Sequence, residues 1–301
     1  MLQKENEWFK YTIVNDRPNE KEYIRIEEYK KDDAMVEIPS EIDGVPVKEL
    51  AGYVLSEKSC EQVFLPESVS KVGNYCFYNC RKLWRLSFGS ALMDLGSGLF
   101  TGCHHIQRLD IWMEKEETCL KEILLEVPEE LCVYMHGIFD AVLWFPEFFE
   151  EGIENTPARN LSVQVHGSGI FYRNCFQGKI LQFSEYDKRF EMACALENEK
   201  LLTELVYGRL SVPQRLSEEN KERYEQYLNK YRTEMIEQFI RERREEELEW
   251  LLRTYPYEKA QRADYEYVLR IASECGIPSV ISILMEYGRI HFPPEKKKFE
   301  L

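Results

Sequence analysis

No run in this 301-residue chain approaches the ~20 consecutive apolar residues that a membrane-spanning helix requires. The longest apolar clusters, such as Ala141 to Phe145 and Val280 to Leu284, stop far short of it. The first fourteen residues place acids where an export signal needs a basic start and an apolar core, so a soluble, cytoplasmic product is expected. Excess positive charge is also missing. With a net charge of -15 and a pI near 5.0, the molecule as a whole repels nucleic acids and anionic membranes, and neither is expected as a partner. The nine cysteines contain no Cys-x-x-Cys pair, and an odd number at scattered spacings fits reduced thiols better than a disulfide framework. Without secretion, the acceptor-like tripeptide Asn160-Leu161-Ser162 has no meaning.

What the chain does have is a repeat. Between Val69 and Ile111 it matches itself at an offset of 23 residues: Val69/Leu92, Val72/Leu95, Gly73/Gly96, Phe77/Phe100, Cys80/Cys103, Leu83/Ile106, Leu86/Leu109 and Phe88/Ile111. Such a period marks a solenoid whose coils bury their faces on one another. The short alternations Val63 with Leu65, Leu86 with Phe88 and Leu109 with Ile111 predict stacked parallel strands. Gly73 and Gly96 are expected at tight bends, Phe77 and Phe100 as core plugs, and Cys80 and Cys103 in one small buried slot.

The run Leu65-Pro66-Glu67-Ser68-Val69, continuing through Val72-Gly73 and Phe77 to Asn79-Cys80 and Leu83, resembles the BspA-type leucine-rich repeat family. Upstream, Val36 to Val47, with its Asp43-Gly44 turn, looks like that family's opening unit, and Tyr23 to Tyr29 adds a preceding strand. The resemblance covers about residues 8–112. It departs from strict register in the first coil, where Leu55 stands near the Phe slot, and at Gly98, which replaces Tyr75 of the preceding coil. A stack this short must lean on neighbouring segments.

The 23-residue register places Gln62, Arg85 and Arg108 in one open-face column and Phe64, Ser87 and Asp110 in the next, with Trp112 beyond and Trp84 at the strand entrance. Aromatics beside Arg are enriched in interface hot spots, so these eight residues form the candidate partner-binding surface. The competing reading is that a later segment of the chain packs there.

Beyond Trp112, Glu114 to Glu126 has helical spacing, and Leu131, Val133 and Met135 alternate as a further strand near the next register point. Strands are predicted at Ala141 to Phe145, Leu161 to Val165, Ile170 to Phe176 and Ile180 to Phe183. His166-Gly167-Ser168-Gly169 reads as a hairpin turn rather than a nucleophile elbow, because Gly-x-Ser-x-Gly is absent. Glu147, Glu150, Glu151 and Glu154 read as a solvated helix face rather than an acid–base or metal cluster. Phe145 to Arg159 also looks like a region that follows these repeats in uncharacterised relatives.

From Asp187 the period becomes helical. One amphipathic set, Phe190 to Val206, is expected to break at Gly208 and Pro213, and a long charged helix follows Ser217. Arg241, Arg243 and Arg244 before Glu245, Glu246 and Glu247 suggest ion pairs on a solvated surface. Ala272, Gly276, Val280, Leu284 and Gly288 resemble one ankyrin-type unit, and the tail from Pro293 carries Lys296, Lys297 and Lys298 without a lipidation signal.

Cys76, Cys80, Cys103, His104 and His105 could form a zinc site if two coils brought them together, but buried thiols are the preferred account, since Cys80 and Cys103 are register equivalents. His136, His166 and His291 are isolated in sequence, and no catalytic set can be assembled. The expected fold class is α+β: a leucine-rich repeat solenoid with an N-terminal β cap over 1–136, a mixed β segment over 137–186 and a helical domain over 187–301. The expected function is non-catalytic recognition of a protein partner, with no cofactor, metal or catalytic residue. The rivals are an enzyme with a site between 137–186 and the helices, and a secreted or surface adhesion protein.

Overall fold

The computed structural model of the protein describes residues 2–15, 22–155 and 160–293, with backbone alone at 153–155 and 160–163. Thr156 to Arg159 and the Lys296–Lys298 tail lie outside the described residues. The chain forms two compact units, Met1–Leu201 with Val212–Ser217, and Leu202–Ser211 with Glu218–Leu301.

The first unit begins with three antiparallel strands, β1 (Leu2–Glu5), β2 (Phe9–Val14) and β3 (Tyr23–Tyr29). Coil follows coil from there: β4 (Met35–Glu37), β5 (Glu41–Ile42), β6 (Val45–Leu50), β7 (Gln62–Phe64), β8 (Lys71–Val72), β9 (Arg85–Gly89), β10 (Asp94–Leu95) and β11 (Arg108–Met113). After α1 (Leu120–Glu126) the chain returns as β12 (Leu131–Gly137) and turns back antiparallel as β13 (Ala141–Phe145). The strands make two sheets. The back sheet runs β1-β2-β3-β6-β8-β10 with β5 beside β6, and the open-face sheet runs β4-β7-β9-β11-β12-β13.

In-register pairing puts Val36, Val63, Leu86, Leu109, Val133 and Leu143 in one interior row, all buried. This is the expected solenoid. The Phe77 and Phe100 rings lie one above the other, 5.5 Å apart and 8° from parallel. Cys80 and Cys103 are buried, and each thiol donates to a carbonyl of the coil before it, at Leu55 and Phe77. Leu55 occupies the Phe slot of the first coil, since its N–H bonds the Cys76 carbonyl just as Phe77 N–H bonds that of Leu99.

Two glycine positions have physical reasons that differ from the sequence reading. Gly96 is not needed for a bend. A Cβ there would sit 2.2 Å from the backbone nitrogen of Asn74, so the coils approach too closely for any side chain. Gly98, in contrast, falls where the chain is left-handed: Tyr53, Tyr75 and Gly98 have φ of 62°, 56° and 64°. Glycine is the unstrained residue for that position, and Tyr53 and Tyr75 are the strained ones.

The solenoid ends differently on its two faces. On the back, the N–H groups of Tyr75 and Phe77 donate to carbonyls of the next coil, but those of Gly98 and Phe100 donate to the Glu126 carboxylate at the end of α1. On the open-face sheet, Tyr186 closes the last strand, its hydroxyl donating to the Trp144 carbonyl at 2.6 Å and accepting from Trp144 N–H at 3.0 Å.

The rest of the unit comprises a hairpin of β14 (Phe149–Asn155) and β15 (Asn160–His166), then α2 (Gly169–Arg173), the short pair β16 (Phe176–Gln177) and β17 (Ile180–Leu181), α3 (Phe183–Lys188) and α4 (Phe190–Leu196). Two expectations are corrected here. Ile170 to Phe176 is mainly helix, because Ser168-Gly169 opens a turn of α2 instead of a hairpin. The Glu150 and Glu151 carboxylates stand on strand β14, so the acidic run is not a helix face. At the centre of the region, the fully buried Arg173 guanidinium donates to the carbonyls of Leu124, Val127, Glu129, Pro146 and Gly169.

The second unit takes in the end of α5 (Glu199–Ser211), α6 (Glu218–Glu242) with a kink at Tyr231, α7 (Glu245–Thr254), α8 (Arg262–Cys275) and α9 (Pro278–His291). Helix α5 runs straight through Gly208. Its neighbours Val206 and Leu210 are buried, and burial outweighs the modest helix cost of one glycine. Arg244 is not on a solvated surface either. It is half-buried over Phe239 and pairs with Glu204, which is 3% exposed and lies on α5. Burial pushes the Glu204 carboxyl above its usual range despite that partner. α8 and α9 form the expected helical pair, parted at the left-handed Gly276.

Candidate recognition face

Strands β7, β9 and β11 place their outward side chains in register, pairing Gln62 with Arg85 and Arg108, and Phe64 with Ser87 and Asp110. The next step is β12, which sets Tyr134 beside Asp110 and His136 beside Trp112. Here the coil is one residue longer: Arg108 pairs with Cys132, not with residue 131.

The face is organised around one carboxylate. The Asp110 side chain is 3% exposed and accepts from Arg85 Nε at 2.7 Å and from Arg108 Nη2 at 2.7 Å and Nε at 3.1 Å. Burial alone would raise the pKa of Asp110, but the hydrogen bonds and charges of the two arginines win and hold it below the usual carboxylate range. Each arginine is also stacked. Arg85 lies over the Phe64 ring at 5.2 Å and reaches Gln62 Oε1 at 3.4 Å, and Arg108 lies over Tyr134 at 3.9 Å.

Ser87 is buried and accepts from Trp112 Nε1 at 3.2 Å, so the indole is fixed at its edge while 46% of the residue stays exposed. His136 packs against Trp112, ring centroids 5.2 Å apart, with Nε2 3.9 Å from Asp110. Trp84 sits at the entrance to β9, partly exposed, its N–H bonded to the Glu61 carbonyl. Seven of the eight sequence-selected residues thus form one connected patch, and Trp84 stands at its margin. Tyr134 and His136 belong to the patch and were missed. The period that identified the others slips by one at β12.

The remaining chemical candidates are not brought together. Cys76, Cys80 and Cys103 are interior, whereas His104 is exposed and faces Glu129 at 3.2 Å. Among the described residues no group of three or more His, Cys, Asp or Glu is placed to hold a metal. Ser168 is buried with its N–H bonded to Glu197, while His166 pairs with Glu151 at 3.1 Å and stacks on Phe149. Among the described residues no helix is long and apolar enough to cross a membrane.

Residues 46–123 match the family described as BspA type leucine rich repeat region (6 copies), a stretch that runs from β6 into α1. Three solved structures are similar over part of the chain. A leucine rich cell surface protein from Faecalibacterium prausnitzii is 18% identical, with 40% of this chain and 35% of that one covered and a TM-score of 0.33. This chain thus spans about a third of that protein's length. The T. pallidum leucine rich repeat protein is 18% identical, covering 36% and 71% with a TM-score of 0.24. A leucine-rich repeat protein from Bacteroides capillosus is 15% identical, covering 38% and 99% with a TM-score of 0.28. No curated protein matches the chain.

Proposed function

We propose that this chain, whose residues 46–123 carry the BspA-type repeat, is a non-catalytic protein-binding scaffold that recognises its partner with the open face of the coil stack. The observation that carries the reading is Trp112. It is a large aromatic, 46% exposed, held by Ser87 on a rigid in-register strand beside two arginines already fixed on Asp110. Binding costs ordering entropy for mobile side chains, and a pre-fixed patch has little left to lose. Its mix of Trp, Tyr, Arg and Phe is that of interface hot spots.

In this reading residues 1–136 supply the binding surface, 137–186 brace it, and the helices of the second unit, which starts at Leu202 rather than at residue 187, form a separate domain. Seven of the nine cysteines are buried, as structural thiols are in the reducing, cytoplasmic setting this reading assumes. Cell fractionation checks that location, and recovery at the surface or outside the cell would turn the reading toward adhesion. The face is tested by affinity capture with the intact chain and its Trp112→Ala and Phe64→Ala variants. A partner held by the parent and lost from folded variants supports the scaffold, and equal capture by all three removes it. Arg85 and Arg108 are poor first choices for alanine, because either change strips Asp110 of a partner.

A further inference from the structure

The two edges of the open-face sheet are not treated alike. At its far end Tyr186 satisfies both backbone groups of Trp144, but at its near end β4 pairs, among the described residues, only with β7. Gln62 N–H donates to the Ala34 carbonyl and Ile38 N–H donates to the Phe64 carbonyl, so the even-numbered residues of this strand face β7. Strand geometry then turns the N–H and C=O groups of Met35 and Glu37 to the outside. Among the described residues the back sheet continues past β3 as β2 and β1, while the open-face sheet stops at β4. The overhang leaves a groove of about 690 Å³ between the β4 edge and the wall formed by Trp8, Phe9 and Tyr29.

We propose that this groove is a strand-addition site for an extended, alternating basic and apolar segment of a partner protein, which would become the next strand of the open-face sheet. Met35 is 57% exposed and Trp8, across the groove, 46%, an apolar lining that a protected edge does not display. The charged residues lining the groove, Asp33, Glu37 and Glu41, are all acids, and the nearby bases Lys30 and Lys31 are paired with Glu5 and Glu7. Edge pairing with a second copy would set like charges together on a chain of net charge -15, whereas a basic strand is attracted. Main-chain hydrogen bonds give affinity in this mode, and alternate side chains give specificity. The proposal stands apart from the Trp112 face.

The test uses the full chain and labelled peptides of about nine residues, within ordinary strand lengths, read by fluorescence anisotropy. A Lys/Val alternating peptide is expected to bind and its Glu/Val counterpart is not. N-methylation of alternate peptide amides along one edge should weaken binding by about tenfold or more, through lost strand hydrogen bonds. Met35→Pro removes one outward N–H and should do the same, since proline is tolerated where an edge N–H faces solvent. Trp112→Ala should leave peptide binding unchanged, which separates this site from the open face. The proposal is overturned by an absence of binding, by binding indifferent to both N-methylation and Met35→Pro, or by sedimentation showing a dimer that Met35→Pro dissolves. If Met35→Pro does not fold, the N-methylated peptide on the parent protein decides.

Discussion

Replacing Arg173 by methionine should destabilise the first unit by about 3 kcal/mol, and replacing it by lysine should cost at least as much. Four of its five carbonyl acceptors are fully buried, those of Leu124, Val127, Pro146 and Gly169. A buried acceptor that loses its donor costs about 1–3 kcal/mol, so these four together lose at least about 4 kcal/mol. Against this stands the penalty of holding a cation in the interior with no carboxylate bonded to it. Burial pulls the Arg173 pKa down to about 10, a penalty of about 3 kcal/mol that methionine removes. At the lower bound the acceptor loss exceeds that relief only slightly. Larger acceptor losses and the lost stacking over Phe148 (4.9 Å) bring the net to about 3 kcal/mol. Lysine keeps the charge in the interior but offers three donors from a single point, and cannot serve five carbonyls spread around a planar fork. Urea unfolding followed by far-UV circular dichroism, with the slope checked for constancy, reads both variants. A lysine variant as stable as the parent, or clearly more stable than the methionine variant, would refute the argument that the planar donor array is what holds this region together.

Three further outcomes are expected. Glu126→Ala should cost about 1–2 kcal/mol in the same unfolding assay, as a cap loss does, and Glu126→Gln less, since it keeps one acceptor for Gly98 or Phe100. Asp110→Asn should be destabilising at pH 7. Because the Asp110 pKa is depressed in the folded state from an ordinary 3.8, its contribution is present above that value and lost as pH falls through the lower, folded value, so parent and variant should converge below about pH 4 in acid titrations of stability. Gly96→Ala should prevent native folding, because of the 2.2 Å approach to Asn74, while Glu57→Gly should stabilise by about 1 kcal/mol by relieving a left-handed residue at φ 61°. Thermal unfolding monitored on both proteins separates the two effects.

The parts of the fold that could be read from sequence are those where one side chain meets its own counterpart. Phe77 on Phe100 and Arg85 beside Arg108 repeat at the coil period because identical coils stack in register. Tyr134 and His136 escaped because the extra residue before β12 shifts the column by one, and periodicity carries no warning of a one-residue insertion. The run Ile170 to Phe176 escaped for a different reason: a short apolar stretch fits strand or buried helix equally well, and only contacts distant in sequence decide. Arg173 lies inside that stretch, and its acceptors are backbone carbonyls, which leave no trace in residue identity. Nor did the sequence distinguish the two uses of glycine, close approach at Gly96 and backbone handedness at Gly98.

Glu126 and Tyr186 have a bearing on how such a chain can change length over evolutionary time. Both are side chains standing in for the backbone of a further coil: Glu126 ends α1, between β11 and β12, and Tyr186 lies on α3. Duplicating a whole coil between Gly73 and Gly96 would present each neighbour with the surface it already accepts. Growth at this end would instead have to displace Glu126 on the back and Tyr186 on the open face, so lineages of this architecture should vary in coil number from within and conserve the terminus as an indivisible piece.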